Sequence, residues 1–268
     1  LVLAPGVSPM IEHNHWPVLW AKCNYDAVKE SGKLGQVVYF MRAGGTGSQK
    51  YCTLLWAGDQ SVDFSRHDGL CTVICAALSS GMVGCGLNHC DIGGYTSLFD
   101  NCRTKEVFLR WAEMAAFMPV MRTHEGNRPD TNFQYYDDDD CMKQLARLVD
   151  IYTMLAPYTK TLVAENAAKG TPVMRPLFLQ YEDDPRGYTE QFEYLYGPDL
   201  LVAPVWQSGK TEWEVYLPSD EWTHLWTGEH YAKGTHTVPA ELGDTPVFCR
   251  KGSQWAELFD SIRAKYGK

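Results

Sequence analysis

The sequence lacks the marks of several large functional classes. It has no cluster of Lys and Arg, and 24 basic against 33 acidic residues give a formal charge of −9. That balance argues against nucleic acid or an anionic lipid surface as a partner, while leaving room for a local positive pocket that takes a small anion. Its nine cysteines are odd in number and include no C-x-x-C pair. A secreted disulfide framework is therefore not expected, and reduced thiols in a cytoplasmic protein are the better reading. Cys71, Cys75, Cys85, His89 and Cys90 could be imagined around a metal. Free cysteine is more often a small buried hydrophobe, so no metal is expected. No Gly-Lys-Ser/Thr ending follows Gly44-Gly45-Thr46-Gly47-Ser48, which reads as tight turns or a sugar-site loop rather than a phosphate cradle. Nucleotide and flavin motifs are absent too, and no cofactor is expected.

The start shows neither an initiating Met nor a secretory signal pattern; Leu1-Val2-Leu3 reads as a strand and Pro5-Gly6 as a turn, as in a piece of a longer polypeptide. Leu70–Leu87 is uncharged over 18 residues, the length at which a membrane helix becomes feasible. Its Thr, Ser, Cys and three glycines instead suit a buried helix turning into a strand, so a soluble protein without membrane insertion is expected.

What the sequence does contain is core-forming material: 268 residues, 45% hydrophobic and 13% aromatic. A chain of this size exposes ~12,000 Å² when folded against ~44,000 Å² unfolded. The spacing predicts helices over 16–30, 70–81, 105–114, 137–158 and 254–265. Short apolar runs at 36–41, 86–91, 117–121 and 172–179 read as strands covered on both faces. This alternation indicates an α/β fold with parallel strands over residues 1–190. Over 191–268 short segments at 200–205, 213–216, 223–225 and 245–249, punctuated by Gly and Pro, indicate a small antiparallel β-sandwich domain. No repeat or low-complexity linker separates the two parts.

In parallel α/β folds the ligand groups gather where strands end. Arg42 follows the run 36–41, Trp56-Ala57-Gly58-Asp59-Gln60 follows 51–55, Asp91 with Gly93-Gly94-Tyr95 follows 86–90, and Arg122-Thr123-His124-Glu125 follows 117–121. Four such clusters in succession describe one face of part of a (β/α)8 barrel. Trp56 and Tyr95 offer flat faces to a sugar ring, and Arg42, Asp91 and His124 offer donors and acceptors to hydroxyls. Asp59, beside Trp56, is a candidate proton donor if an apolar wall raises its pKa. A helix cap or turn involving Ser61 and Asp63 is an equally weighted alternative for Asp59, and a satisfied core histidine is the alternative for His124. The run Asp137–Asp140 invites calcium, but a helix start favoured by the dipole is the better reading.

These residues resemble the landmarks of family 31 of the glycoside hydrolases. Trp56-Ala57-Gly58-Asp59 is similar to that family's acid/base segment. Phe40-Met41-Arg42-Ala43, Cys90-Asp91-Ile92-Gly93-Gly94-Tyr95, Met121-Arg122-Thr123-His124, Pro172-Val173-Met174-Arg175-Pro176-Leu177 and Leu200-Leu201-Val202-Ala203-Pro204-Val205 follow in the family's order. Within it the likeness is to the sulfoquinovosidases, through Trp16-Pro17, Leu19-Trp20-Ala21-Lys22-Cys23-Asn24-Tyr25 and Thr123-His124-Glu125-Gly126-Asn127-Arg128-Pro129.

The resemblance implies the C-terminal half of a (β/α)8 barrel plus a C-terminal β domain, and retaining hydrolysis of α-glycosides of 6-sulfo-6-deoxyglucose. Asp59 would be the acid/base; Arg42, Asp91 and His124 would hold hydroxyls, Trp56 would line the subsite, and Tyr95 would help to bind the sulfonate. No segment matches the family's nucleophile, which together with a Gln, an Arg and a Trp for the sulfonate lies upstream of the first residue here. The chain is therefore expected to need the N-terminal part of the same enzyme and to be inactive alone. An α-glucosidase or α-xylosidase of the same family is one alternative, and a non-catalytic sugar-binding half-barrel is another. The oligomeric state, a homo-oligomer included, is left open.

Overall fold

The computed structural model describes residue 6 and residues 8–268, so the strand expected at Leu1-Val2-Leu3 lies outside the described residues. A short helix α1 (Pro9–Glu12), capped by the Ser8 hydroxyl, leads into α2 (Trp16–Glu30), whose second residue, Pro17, is pre-set for a helix start. Strand β1 (Leu54–Trp56), helix α3 (Leu70–Met82) and strand β2 (Leu87–His89) form a right-order parallel unit, with Leu54 opposite Leu87 and Trp56 opposite His89. Helices α4 (Lys105–Ala115), α5 (Asp139–Met154) and α6 (Ala156–Lys169) follow. Asp138 caps α5 by accepting from the Cys141 amide at 2.7 Å, and Lys105 bridges Asp138 and Asp140 at 2.6 and 2.9 Å. The acidic run is thus a helix start.

Several expectations need correction. The run 36–41 is not a covered strand. Val37, Val38 and Phe40 are exposed, and only Met41 makes a parallel bridge, to Leu55. A strand covered on both faces needs packed layers above and below it, and here the side chains of Val37, Val38 and Phe40 are left open. The run 117–121 is not a strand either: Phe117 and Met118 continue the turn that ends α4, and pairing begins at Thr123, bridged to Ile92. The single helix expected over 137–158 is two, because Pro157 cannot continue α5 and instead opens α6. Strand β3 is only Met174–Arg175, and it pairs antiparallel with β4 (Tyr194–Tyr196) rather than joining the parallel layer.

The remaining strands are β5 (Leu200–Val202), β6 (Glu212–Leu217), β7 (Trp222–His224), β8 (His230–Tyr231), β9 (Gly234–Pro239) and β10 (Val247–Arg250), before the terminal helix α7 (Ala256–Tyr266). They form a six-stranded sheet in the order β3-β4-β5-β10-β7-β8 and a two-stranded sheet of β6 and β9. Side-chain alternation explains the apolar runs: Tyr194, Tyr196, Leu200, Val202, Val247 and Cys249 face the barrel helices, while Leu195, Leu201 and Phe248 face β6 and β9. The sheet is thus buried on both sides, and its inner face shares one core with α3, α4 and α5. Arg110 and Glu113 of α4, both buried, pin the two parts together. Arg110 donates to the Lys210 and Ala240 carbonyls at 2.7 and 2.8 Å, and Glu113 accepts from the Gly243 amide at 2.6 Å. No helix among the described residues is long and apolar enough to cross a membrane.

Candidate active site

The parallel layer places its strand ends side by side, and the predicted polar clusters leave from those ends. After β1, Gly58 at φ +95° turns the chain so that Asp59 faces back toward Arg42. After β2, Gly93 and Gly94 at φ +85° and +74° fold the segment behind Asp91. That fold lets the Tyr95 and Thr96 amides donate to the Gln60 carbonyl at 2.9 and 2.8 Å, while the Thr96 hydroxyl donates to the Asp59 carbonyl at 2.8 Å. The Ile92 amide donates to the Arg122 carbonyl at 3.1 Å, which brings in the third loop.

The six predicted residues fall into two sets of side-chain contacts, Arg42, Asp59, Trp56 and Asp91 in one and Tyr95 with His124 in the other, which the backbone of the 91–96 segment carries side by side. Arg42 donates to Asp59 at 2.7 Å while its guanidinium lies 5.3 Å from the Trp56 ring centre. Trp56 Nε1 donates to Asp91 Oδ1 at 3.0 Å, and Arg122 pairs with the same oxygen. The other oxygen, Oδ2, is buried without a partner. Burial pushes the Asp91 carboxyl above its ordinary pKa, and the Arg122 guanidinium opposes that shift. Oδ2 is left with its hydrogen-bonding capacity unmet, which is costly for a buried carboxyl. His124 Nδ1 accepts from the Gly126 amide at 3.0 Å, so in the neutral ring the proton sits on Nε2, ready to donate. Tyr95 meets the His124 ring edge-on at 5.1 Å.

The apolar wall expected around Asp59 is not what faces it; the carboxylate meets a guanidinium. Nor is Asp59 a cap or turn residue. The local turn belongs to Asp63, which accepts from the Ser65 amide at 2.9 Å, and Gly69 precedes α3. His124 is half-buried rather than a core histidine.

The structure adds three contributors, one of which, His89, the sequence offers only as a conceivable metal ligand. Arg122 was seen as part of a cluster, but its contacts with Asp91, Trp56 and Phe40 were not. His89 is fully buried with both ring nitrogens unpartnered and Phe40 packed edge-on at 4.5 Å; burial, helped by Arg122, lowers its pKa to about 4, so it is neutral. Arg103, 2% exposed, holds two site loops at once. It donates to the His124 and Glu125 carbonyls at 2.7 and 3.3 Å, to those of Ile92 and Gly94 at 3.3 and 3.4 Å, and to Phe133 and Gln134 behind them. A lone Arg after Cys102 carries no sequence signal for that role. Among the described residues no three His, Cys, Asp or Glu side chains group as metal ligands would.

The fold is that of a known family. The model described as the glycosyl hydrolases family 31 TIM-barrel domain matches residues 5–162, and that of the family 31 C-terminal domain matches residues 170–253. The chain belongs to glycosyl hydrolase family 31. Among family 31 relatives, the sulfoquinovosidase of Escherichia coli (strain K12) is 56% identical over 259 residues, covering 97% of this chain and 38% of the relative. The sulfoquinovosidase of Agrobacterium fabrum is 55% identical over 263 residues, covering 97% of this chain and 40% of the relative. A family 31 sulfoquinovosidase from E. rectale, solved with an aza-sugar inhibitor, superposes with a TM-score of 0.98 at 74% identity, covering all of this chain and 40% of that one. The family 31 chain therefore spans about two fifths of the length of these relatives.

Proposed function

We propose that this chain carries the acid/base side of the active site of a retaining α-sulfoquinovosidase, which hydrolyses α-glycosides of 6-sulfo-6-deoxyglucose to sulfoquinovose. The observation that carries the reading is the Asp59–Arg42 pair, standing on Trp56 beside Asp91 and its unpartnered Oδ2. Identity of 55–56% to two sulfoquinovosidases across 97% of the chain supports the substrate class.

In this reading the protonated form of Asp59 gives its proton to the glycosidic oxygen as the bond to C1 breaks and the second carboxylate bonds C1; the carboxylate left behind, the form that pairs with Arg42, then takes a proton from the water that attacks the glycosyl intermediate. Arg42 orients the carboxylate. Asp91 Oδ2 and His124 Nε2 bind ring hydroxyls, one as acceptor and the other as donor, and Trp56 lines the subsite. The Tyr95 hydroxyl, which bonds no protein group among the described residues, donates toward the sulfonate; a buried sulfonate without donors would be costly.

Retention needs a second carboxylate only ~5–5.5 Å from the first. We assign it to polypeptide outside this chain, supplied by the upstream part of the same enzyme. Exposed apolar side chains support that arrangement: Met10, Ile11, Trp16, Trp20 and Val38 of the segment before β1 all stand open. Nine free cysteines support a reducing, cytoplasmic setting.

Asp59→Asn tests the assignment. Turnover of an alkyl α-sulfoquinovoside should fall by about 10²–10⁴-fold, while a substrate with an activated aryl leaving group, which needs no proton to depart, loses far less in the first step. Equal losses on both substrates would contradict the acid/base role.

A further inference from the structure

Away from the candidate site, the C-terminal part holds a cavity of about 400 Å³ between the segment before β4, the segment after β5 and the start of β6. Its walls combine aromatic faces with mixed polar groups. Phe192 and Trp206 pack at 4.6 Å between ring centres, and Trp213 stands perpendicular to Trp206 at 5.9 Å. Arg66, from the loop after β1, covers Phe192 and Trp206 at 5.3 and 5.5 Å, so this wall is also braced from the barrel side.

The telling group is Glu193. It lines the cavity yet is only 6% exposed. Its Oε1 accepts from the Tyr216 amide at 2.9 Å, while Oε2 is buried with no partner. Buried polar atoms are almost always satisfied, so the unpartnered carboxylate oxygen of a residue that lines a cavity is one that a polar ligand satisfies once the side chain turns toward it. Burial, with Glu190 and Glu214 adding like charge, raises this carboxyl well above its ordinary pKa. Whether protonated or not, Oε2 is satisfied by a hydroxyl, which both donates and accepts.

The remaining lining narrows the ligand. Gln207 and Lys210 bring donors, and Glu190, Glu212 and Glu214 bring acceptors around the mouth. Arg186 pairs with Glu190 and Glu214 at 2.5 and 3.9 Å and meets part of their charge, but with Glu193 and Glu212 against Lys210 the lining stays acidic, which disfavours an anion. Donors and acceptors interleaved with tryptophan faces suit a neutral ring bearing hydroxyls. We propose that this cavity is a second, non-catalytic sugar site that takes a neutral pyranoside and rejects a sulfonated one. It does not depend on the activity assigned to Asp59.

The test is a titration of the full-length protein with methyl α-D-glucopyranoside, followed through the indole N–H resonances of its tryptophans. Trp206 and Trp213 should shift together and saturate with a Kd near about 1 mM. The 6-sulfonated analogue should leave both in place. Trp213→Ala should remove the Trp206 shift without changing catalytic turnover, and Glu193→Ala should do the same. Should Glu193→Ala fail to fold once Tyr216 loses its acceptor, Trp213→Ala still decides the matter. No shift of either indole up to about 50 mM, shifts confined to Trp56, or equal binding of the sulfonated sugar would each overturn the proposal.

Discussion

A Cβ placed on Gly93 would lie 2.3 Å from Arg103 Cδ. Arg103 cannot step aside without losing its bonds to the carbonyls of Ile92, Gly94, His124 and Glu125, so the glycine and the arginine together fix where Asp91 and His124 stand. Gly93→Ala should therefore destabilise the protein by about 3 kcal/mol, from left-handed backbone strain plus broken buried hydrogen bonds, and lower Tm by about 6–12 °C. Gly170→Ala is the control. Its φ of +76° is also left-handed, but nothing lies within 4 Å, so about 1 kcal/mol and unchanged activity are expected. Thermal melts of both variants check this; equal losses would mean that Arg103 gives way freely.

His224 predicts part of the acid sensitivity. Burial lowers its pKa to about 4, from 6.5 for the free side chain. Between those values the unfolded chain binds the proton and the native state does not, so stability rises with pH through that window and is complete above it. The contribution, about 3 kcal/mol, is lost as pH falls from 6.5 to 4. His224→Phe, which keeps a ring against Phe248, should flatten the dependence of unfolding free energy on pH by that amount. An unaltered slope would show that His224 does not charge on unfolding.

Tyr95→Phe separates anion reading from packing. The ring remains against His124 while the hydroxyl is lost, so kcat/KM on an α-sulfoquinovoside should drop by about 10–100-fold, the value of a hydrogen bond to a charged group. The neutral α-glucoside should change by no more than about twofold. Parallel losses on both would make Tyr95 a packing residue.

Much of this architecture is legible in the sequence. The Trp16–Glu30 helix follows from its periodic apolar residues and the Ser31-Gly32 stop, the α5 start from the acidic run, and the polar clusters from their places at successive strand ends. What escaped was non-local. Continuous apolar runs do not say whether a partner strand exists, and so 36–41 and 117–121 were read as strands. The break between α5 and α6 was available in Pro157. Arg103 and Glu193 gave no signal, because their meaning lies in carbonyls and cavities assembled from distant segments. The polar environment of Asp59 escaped for the same reason: Arg42 lies 17 residues away.

The central claim is specificity for the sulfonated sugar at the site built around Asp59. The most direct measurement compares kcat/KM of the full-length protein on two aryl α-glycosides that differ only at C6, the sulfoquinovoside and the glucoside. A site that hydrogen-bonds the sulfonate should favour the former by about 100-fold or more. Equal or greater kcat/KM on the glucoside would contradict the account and make the protein an α-glucosidase of the same family.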